Sequence, residues 1–255
     1  MSFISTIYTE VLWRPLFNGL VFFYSLSPGH DLGIAIIALT VAIRLILAPL
    51  LWKAQTSQRR MAEIQPELKK IQERFKGDKE AQSKALMEFY ATHKINPFSG
   101  CLILCIQLPI LIALFQVFRM GLDAAQLHYL YSFVPNPGPL NPVMLGFLNL
   151  AKGNIYLGVL AAVTQFLQTK LMAPPPSPAA PANKDGSKAD FTKALQWQTT
   201  YLFPFLILFW SYSLPAALTL YWTAMNGFGI VEQIIIKKYG RLQRNTNVGS
   251  GSNQA

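Results

Sequence analysis

Charge is scarce in this chain. Asp, Glu, Lys and Arg make up 13% of its 255 residues, and hydrophobic residues make up 52%. A soluble domain carries roughly 25% charged residues, about twice this supply. An ordinary water-facing globule is thereby excluded, and a polytopic membrane protein is the class that remains. Cysteine is nearly absent as well. Cys101 and Cys105 share one apolar run, so neither a disulfide framework nor a four-ligand metal site can be built from them; they read as reduced packing residues. His30, His93 and His128 lie apart and outside the apolar runs, and no carboxylate stands in the middle of one. Intramembrane hydrolysis needs paired aspartates, a Ser/His dyad or a metal-binding helix, and none is present. The sequence therefore predicts no enzyme, no cofactor and no bound metal. The balance of 22 basic to 12 acidic residues gives +10, but the basic residues sit between apolar runs rather than on one soluble face, so no specific nucleic-acid partner is expected. The first basic residue is Arg14. A basic n-region and an Arg- and Ser-rich transit sequence are both missing, so a bacterial protein without a cleavable signal is expected.

What the chain does have is long apolar runs. A helix needs about 20 apolar residues to cross the hydrocarbon core. Leu32–Trp52 meets this, and Ile95–Phe118 supplies 24 uncharged residues opening on Asn96-Pro97, a cap residue with proline at the first helical position. Gly153–Thr169 is uncharged for 17 residues and Ala194–Val231 for 38. The last would be about 57 Å as one helix, long enough for two crossings, with Ser211–Pro215 as the turn. The fold class expected is all-α, with five transmembrane helices at 32–52, 96–118, 153–172, 196–213 and 216–236. Ten Lys/Arg lie between spans one and two, four between three and four counting Lys170, and four after span five; the other side has only Arg14, Arg119 and Lys152. The excess of basic residues marks the cytoplasmic side, so the N-terminus is outside and the C-terminus inside.

The remaining segments follow. Residues 1–31 are apolar but broken by Glu10, Arg14, Pro15, Ser27, Pro28 and Gly29, and read as an amphipathic helix on the outer face, with a sixth span as the alternative. Residues 53–95 read as a cytoplasmic hairpin of two helices, Ala54–Phe75 and Lys79–His93, because Ile64, Leu68, Ile71 and Phe75, then Leu86, Phe89 and Tyr90, recur at helical spacing. Its ten basic and six acidic residues suit anionic headgroups or a cytoplasmic partner. Residues 119–152 form an outer loop and 173–195 a flexible cytoplasmic loop, Pro/Ala-rich over Ala173–Lys188. Residues 237–255 form a basic tail, disordered from Asn245 by composition.

Arg44 is the anomaly, a permanent charge well inside the first span. Insertion scales charge roughly 2.5–3.5 kcal/mol for it at mid-membrane. Three readings are open: the side chain snorkels toward Trp52, it pairs with Glu232 at similar depth, or it lines a water-filled cavity open to the cytoplasm. Thr40 lies one turn away on the same face, Gln165 and Gln168 fall in span three, and Gln107 and Gln116 in span two. A shared polar interior would house all of them.

In order along the chain stand Thr40 and Arg44 with Pro49-Leu50, Gln65-Pro66, Asn96-Pro97, Gly100-Cys101, Gln107–Ile110, Phe166–Lys170, and Leu220, Tyr221, Trp222 and Asn226. In this order and on this topology the chain resembles the YidC-type membrane protein insertases over roughly Leu32–Arg241. The resemblance implies a multi-pass protein of the bacterial inner (plasma) membrane that inserts and helps fold nascent membrane proteins without nucleotide hydrolysis. It implies a hydrophilic groove open to cytoplasm and lipid, with Arg44 as its charge and Thr40, Gln165 or Gln168, Tyr221 and Trp222 as its walls. Implied partners are nascent membrane proteins, the lipid bilayer, the Sec translocon, the signal recognition particle receptor and the ribosome. The chain departs from that pattern in having no large domain ahead of span one, no lipobox cysteine, a short basic tail, and Glu232. The alternative function is a small-molecule or anion transporter binding its substrate at Arg44, although five spans do not divide into equal repeats.

Overall fold

The structure, a computed structural model, describes residues 3–93, 99–120, 124–172 and 197–251. Asn96-Pro97, the Ala173–Lys188 stretch and the Cys101 side chain lie outside the described part. Helix dominates. The order is α1 (Phe3–Tyr8), a π-helical turn (Thr9–Trp13), α2 (Arg14–Leu26), α3 (Leu32–Glu63), α4 (Gln65–Arg74), α5 (Lys79–Thr92), α6 (Ser99–Met120), a 3₁₀ turn (Ala124–Tyr129), strands β1 (Val143–Met144) and β2 (Leu148–Asn149), α7 (Ile155–Met172), a second π-helical turn (Gln198–Leu202), α8 (Phe203–Trp210) and α9 (Ala216–Gly251). The strands pair antiparallel, Val143 opposite Asn149. They are the only sheet among the described residues.

Both π-turns have the same cause. Each is followed immediately by an X-Pro pair, Arg14-Pro15 and Phe203-Pro204. A proline ring inside a helix collides with the carbonyl four residues earlier. Widening the turn relieves that clash: the Arg14 N–H bonds the Thr9 carbonyl and the Phe203 N–H that of Gln198, five residues back in each case. The helical path thus continues past each proline. Pro66 acts differently. There α3 stops at Glu63 and α4 begins at Gln65, with Pro66 in its first turn, so the first arm of the hairpin is two helices where the apolar spacing suggested one. Nor does a break separate the span at 32–52 from the hairpin: α3 runs on to Glu63. At the other end of the chain α9 extends to Gly251, through residues whose polar composition suggested disorder. Adding a residue to an existing helix needs no new nucleus.

Asp31 caps α3 by accepting from the Ile34 N–H at 3.0 Å, Asn154 caps α7 through the Leu157 N–H at 3.1 Å, and Asp78 caps α5. Each satisfies an N–H that the helix itself cannot. Helix α9 packs mainly on α7 and α3, α7 on α8, α3 on α2 and α6, and α4 on α5. The core collects Trp13, Phe17, Leu20 and Val21 from the N-terminal helices, Leu32, Ile36 and Leu39 from α3, Leu114 and Val117 from α6, and Ala216, Ala217 and Leu220 from α9. Residues 13, 16, 17, 20, 21 and 24 are all buried, a helical face that makes α2 a packed member of the bundle.

The surface is inverted. On α3, Thr40, Arg44, Leu51 and Gln55 are buried, whereas Leu45 is 59% and Ile46 76% exposed. On α7 the small residues Gly158 and Ala161 face in, and Val159, Leu160, Val163 and Leu167 face out; Phe205 and Phe209 do the same on α8. A polar seam within the core beneath an apolar exterior suits hydrocarbon as the surrounding solvent. Cys105 is a free thiol on the exposed surface, not the packing residue its apolar neighbours suggested. By length and composition two described helices are long and apolar enough to cross a membrane, Leu32–Ser57 and Ile155–Met172; Cys105–Met120 and Gln198–Trp210 are shorter.

The segment read as an outer loop is tied down. The Asn18 amide donates to the carbonyls of Arg14 at 2.8 Å and Tyr129 at 3.1 Å, and its oxygen accepts from the Tyr131 N–H at 2.6 Å. Arg14 donates to the Tyr129 carbonyl at 3.0 Å and lies 4.8 Å over the Tyr131 ring. The Tyr24 hydroxyl accepts from Asn141, and the second Asp31 oxygen from the Leu145 N–H. Asn18 is 3% exposed. Replacing it with Ala strands the Tyr131 N–H, a loss of about 1–3 kcal/mol; thermal unfolding of the purified protein in detergent should show the corresponding fall in midpoint.

Candidate functional site: a buried charge network between two helices

Arg44 points from α3 to α9. Its Nη1 lies 3.6 Å from Glu232 Oε2, with side-chain exposures of 9% and 8%. Its Nη2 donates to the Met225 carbonyl at 3.4 Å. The carboxylate has a second partner, since Gln55 Nε2 donates to the same Oε2 at 3.2 Å. Gln55 accepts in turn from the Gln233 amide. Four polar side chains from two helices thus make one buried cluster, in which each charge meets its opposite. Of the three readings open for Arg44, the geometry gives the pair with Glu232.

Helical spacing explains the cluster. Arg44 and Gln55 are eleven residues apart on α3, close to three full turns, and Tyr221 and Glu232 are eleven apart on α9. Glu232 is legible in the sequence as one of the three ways of satisfying Arg44, and Gln233 is not. Gln55 was also missed, because it lies beyond the apolar run in a segment read as soluble. The eleven-residue interval from Arg44 was the available signal.

The other residues expected at the site are distributed around α9. Thr40 is buried on the same face of α3 as Arg44, and its hydroxyl donates back to the Ile36 carbonyl at 2.6 Å. Tyr221 is buried one turn before Met225; its hydroxyl accepts from Gln107 on α6 at 2.6 Å. Trp222 is buried, its ring centroid 5.9 Å from that of Phe203. Gln165 donates within α7, to Thr169 at 3.2 Å. Gln168 lies over Gly229 of α9, where any Cβ would collide with its amide. Gln116 accepts from the Tyr8 hydroxyl at 3.1 Å. Asn226, with no exposed surface, reaches α7 through the Ala161 carbonyl and the Thr164 hydroxyl, both at 3.4 Å. Polar contacts therefore leave α9 in three directions: to α3 through Arg44 and Gln55, to α6 through Gln107, and to α7 through Asn226. Arg44, Thr40 and Tyr221 belong to the α3–α9–α6 side, Gln165 and Gln168 to the α7 side. Among the described residues no three His, Cys, Asp or Glu side chains come together as a metal site.

Removing one member of such a pair leaves the other charge buried and unmatched, which costs about 3–5 kcal/mol, whereas replacing both with apolar residues is often neutral. Glu232→Leu should therefore lower the thermal midpoint markedly, and the double variant Arg44→Met/Glu232→Leu should recover most of the loss. Equal losses from the single and double variants would show that the two side chains do not depend on each other.

Comparison with known proteins places this arrangement in a family. Residues 22–244 match the family model described as 60Kd inner membrane protein. The protein named membrane protein insertase YidC of Fusobacterium nucleatum is 33% identical over 210 residues, covering 82% of this chain and 88% of that protein. The proteins of the same name from Geotalea uraniireducens and Geotalea daltonii are 33% and 31% identical over 231 residues, 90% of this chain but only 38% of theirs. With the family model spanning both helices that hold the charge network, the chain belongs to the 60Kd inner membrane protein family.

Proposed function

We propose that this chain is a membrane protein insertase of the bacterial inner membrane, acting on nascent membrane proteins without nucleotide hydrolysis. The observation that carries the reading is the inversion at α3: a guanidinium turned inward, with Leu45, Ile46 and Leu50 turned out. A cation held inside an apolar-walled bundle is costly, and attraction of passing anionic groups is a use that rewards it. Support for the substrate class comes from the relatives named as insertases.

The topology proposed has five crossings, α3, α6, α7, α8 with its π-turn, and the first half of α9, with the N-terminus outside. The asymmetry of 18 basic residues on one side against three on the other supports it. The α4–α5 hairpin then stands in the cytoplasm. Its arms are antiparallel, Glu67 lying 3.9 Å from His93 while Gln72 accepts from Gln82 at 2.9 Å. It would receive the emerging chain. A hydrophilic groove on the α3–α9–α6 side, with Thr40 and Tyr221 beside Arg44, would admit the short polar tail of the substrate, with Arg44 drawing in its acidic residues. The path through hydrocarbon is thereby shortened. The apolar segment next moves into lipid, driven by burial of its surface and, for the charged tail, by the membrane potential.

A hydrogen bond to a charged group contributes about 1.5–3 kcal/mol, which is roughly tenfold or more in a rate or affinity. In liposomes containing the purified full chain, Arg44→Ala should slow insertion of a substrate with an acidic outer tail by about that factor while a substrate with an uncharged tail is affected far less. Equal rates for both substrates in both proteins would remove Arg44 from the mechanism. Steady anion flux through the same liposomes would favour transport instead.

A further inference from the structure

The reading of Arg44 as the attracting cation leaves Glu232 to be explained. A carboxylate 3.6 Å away cancels much of the field that would draw in an acidic substrate. The contact is a loose one. Glu232 meets the guanidinium through a single oxygen, not through the two parallel bonds that Arg and carboxylate form at their strongest. Its partner atom Oε2 is held independently by Gln55 at 3.2 Å, and Gln55 is held by Gln233. The carboxylate therefore keeps a donor whether or not Arg44 stays beside it. Arg44 likewise keeps the Met225 carbonyl at 3.4 Å.

We propose that Glu232 is a resident stand-in for the substrate's own carboxylate. It rests on the insertase reading above and adds the regulation of that site. While no chain is bound, Glu232 neutralises Arg44 and spares the bundle an unmatched buried charge. An Asp or Glu in the tail of an incoming chain can meet the guanidinium through both oxygens and displace a one-point contact with a two-point one. Gln55 retains Glu232 during that exchange. When the tail has passed, Glu232 returns to Arg44 and speeds the tail's departure. Affinity for acidic tails is thus a difference between two carboxylates competing for one cation. The resident one sets how strongly a substrate must bind and how quickly it leaves. The substrates selected are chains with acidic residues in the translocated tail.

The test uses the full-length chain in liposomes with stalled membrane-protein substrates carrying a photocrosslinker in the outer tail, which bears either acidic or amide residues. Glu232→Gln keeps an oxygen facing Arg44 and an acceptor for Gln55 but removes the competing charge. It should raise the ratio of acidic-tail to amide-tail crosslinking by about threefold or more and slow release of the acidic tail. Glu232→Asp, which withdraws the charge by one methylene, should shift the ratio the same way by less. A ratio unchanged or lowered in folded Glu232→Gln protein overturns the proposal; if that variant does not fold, Glu232→Asp decides by the same criterion. Wild-type protein that inserts neither substrate would defeat the insertase reading itself, whereas insertion with an unshifted ratio removes only the role of Glu232.

Discussion

One ion pair orients the bundle. A largely buried guanidinium is stabilised by a carboxylate, and Glu232 on α9 supplies it, so the Arg44 face of α3 and the Glu232 face of α9 are turned together. Gln55 and Gln233 extend the same seam by a further contact. Once that rotation is fixed, the rest of α3 has no freedom: Leu45, Ile46 and Leu50 are on the far side and must meet an apolar medium. The polar seam and the apolar exterior are two consequences of a single rotation.

Helix α9 is where the bundle is joined. Its Tyr221, Met225 carbonyl, Asn226 and Glu232 bond to α6, α3 and α7. Gly229 lets α7 come close enough for Gln168 to lie against the α9 backbone. In an apolar surrounding, burying hydrocarbon does not hold helices together, since lipid tails are as apolar as leucine. Packing of small residues and polar contacts across helices supply the specificity. Gly158, set against Ser211 with no room for a Cβ, serves the same purpose between α7 and the turn after α8.

Much of this could be read from residues alone, and the reasons for success and failure are physical. Apolar run length set spans at 32–52 and 153–172, where α3 and α7 lie, and Ser211–Pro215 fell where α8 ends and α9 begins. Arg44 stood out because an isolated charge in an apolar run has few ways to be satisfied, and Glu232 was one of the three considered. What failed was anything set by distant partners. Gln233 carries no signal until two helices are placed side by side, and Gln55 carries only its eleven-residue interval from Arg44. The break at Ile64 depended on whether the helix would bend or stop at Pro66, and the helix widened instead at Pro15 and Pro204. The outer loop, rich in proline and glycine, gave no sign that Asn18, Tyr24 and Asp31 would each capture one of its backbone N–H groups.

That loop also reaches the start of α9. The N–H groups of Ala216 and Ala217, which open the helix and have no partner within it, donate to the carbonyls of Lys152 and Leu150, both at 2.9 Å. The Asn154 N–H binds the Ser211 carbonyl just before it at 3.1 Å. Main chain is therefore sewn to main chain at this end, whereas farther along α3 and α9 are held through the side chains of Arg44, Gln55, Glu232 and Gln233. Drawing α3 away from α9 would therefore break side-chain contacts, whereas drawing α9 away from the loop would break main-chain hydrogen bonds.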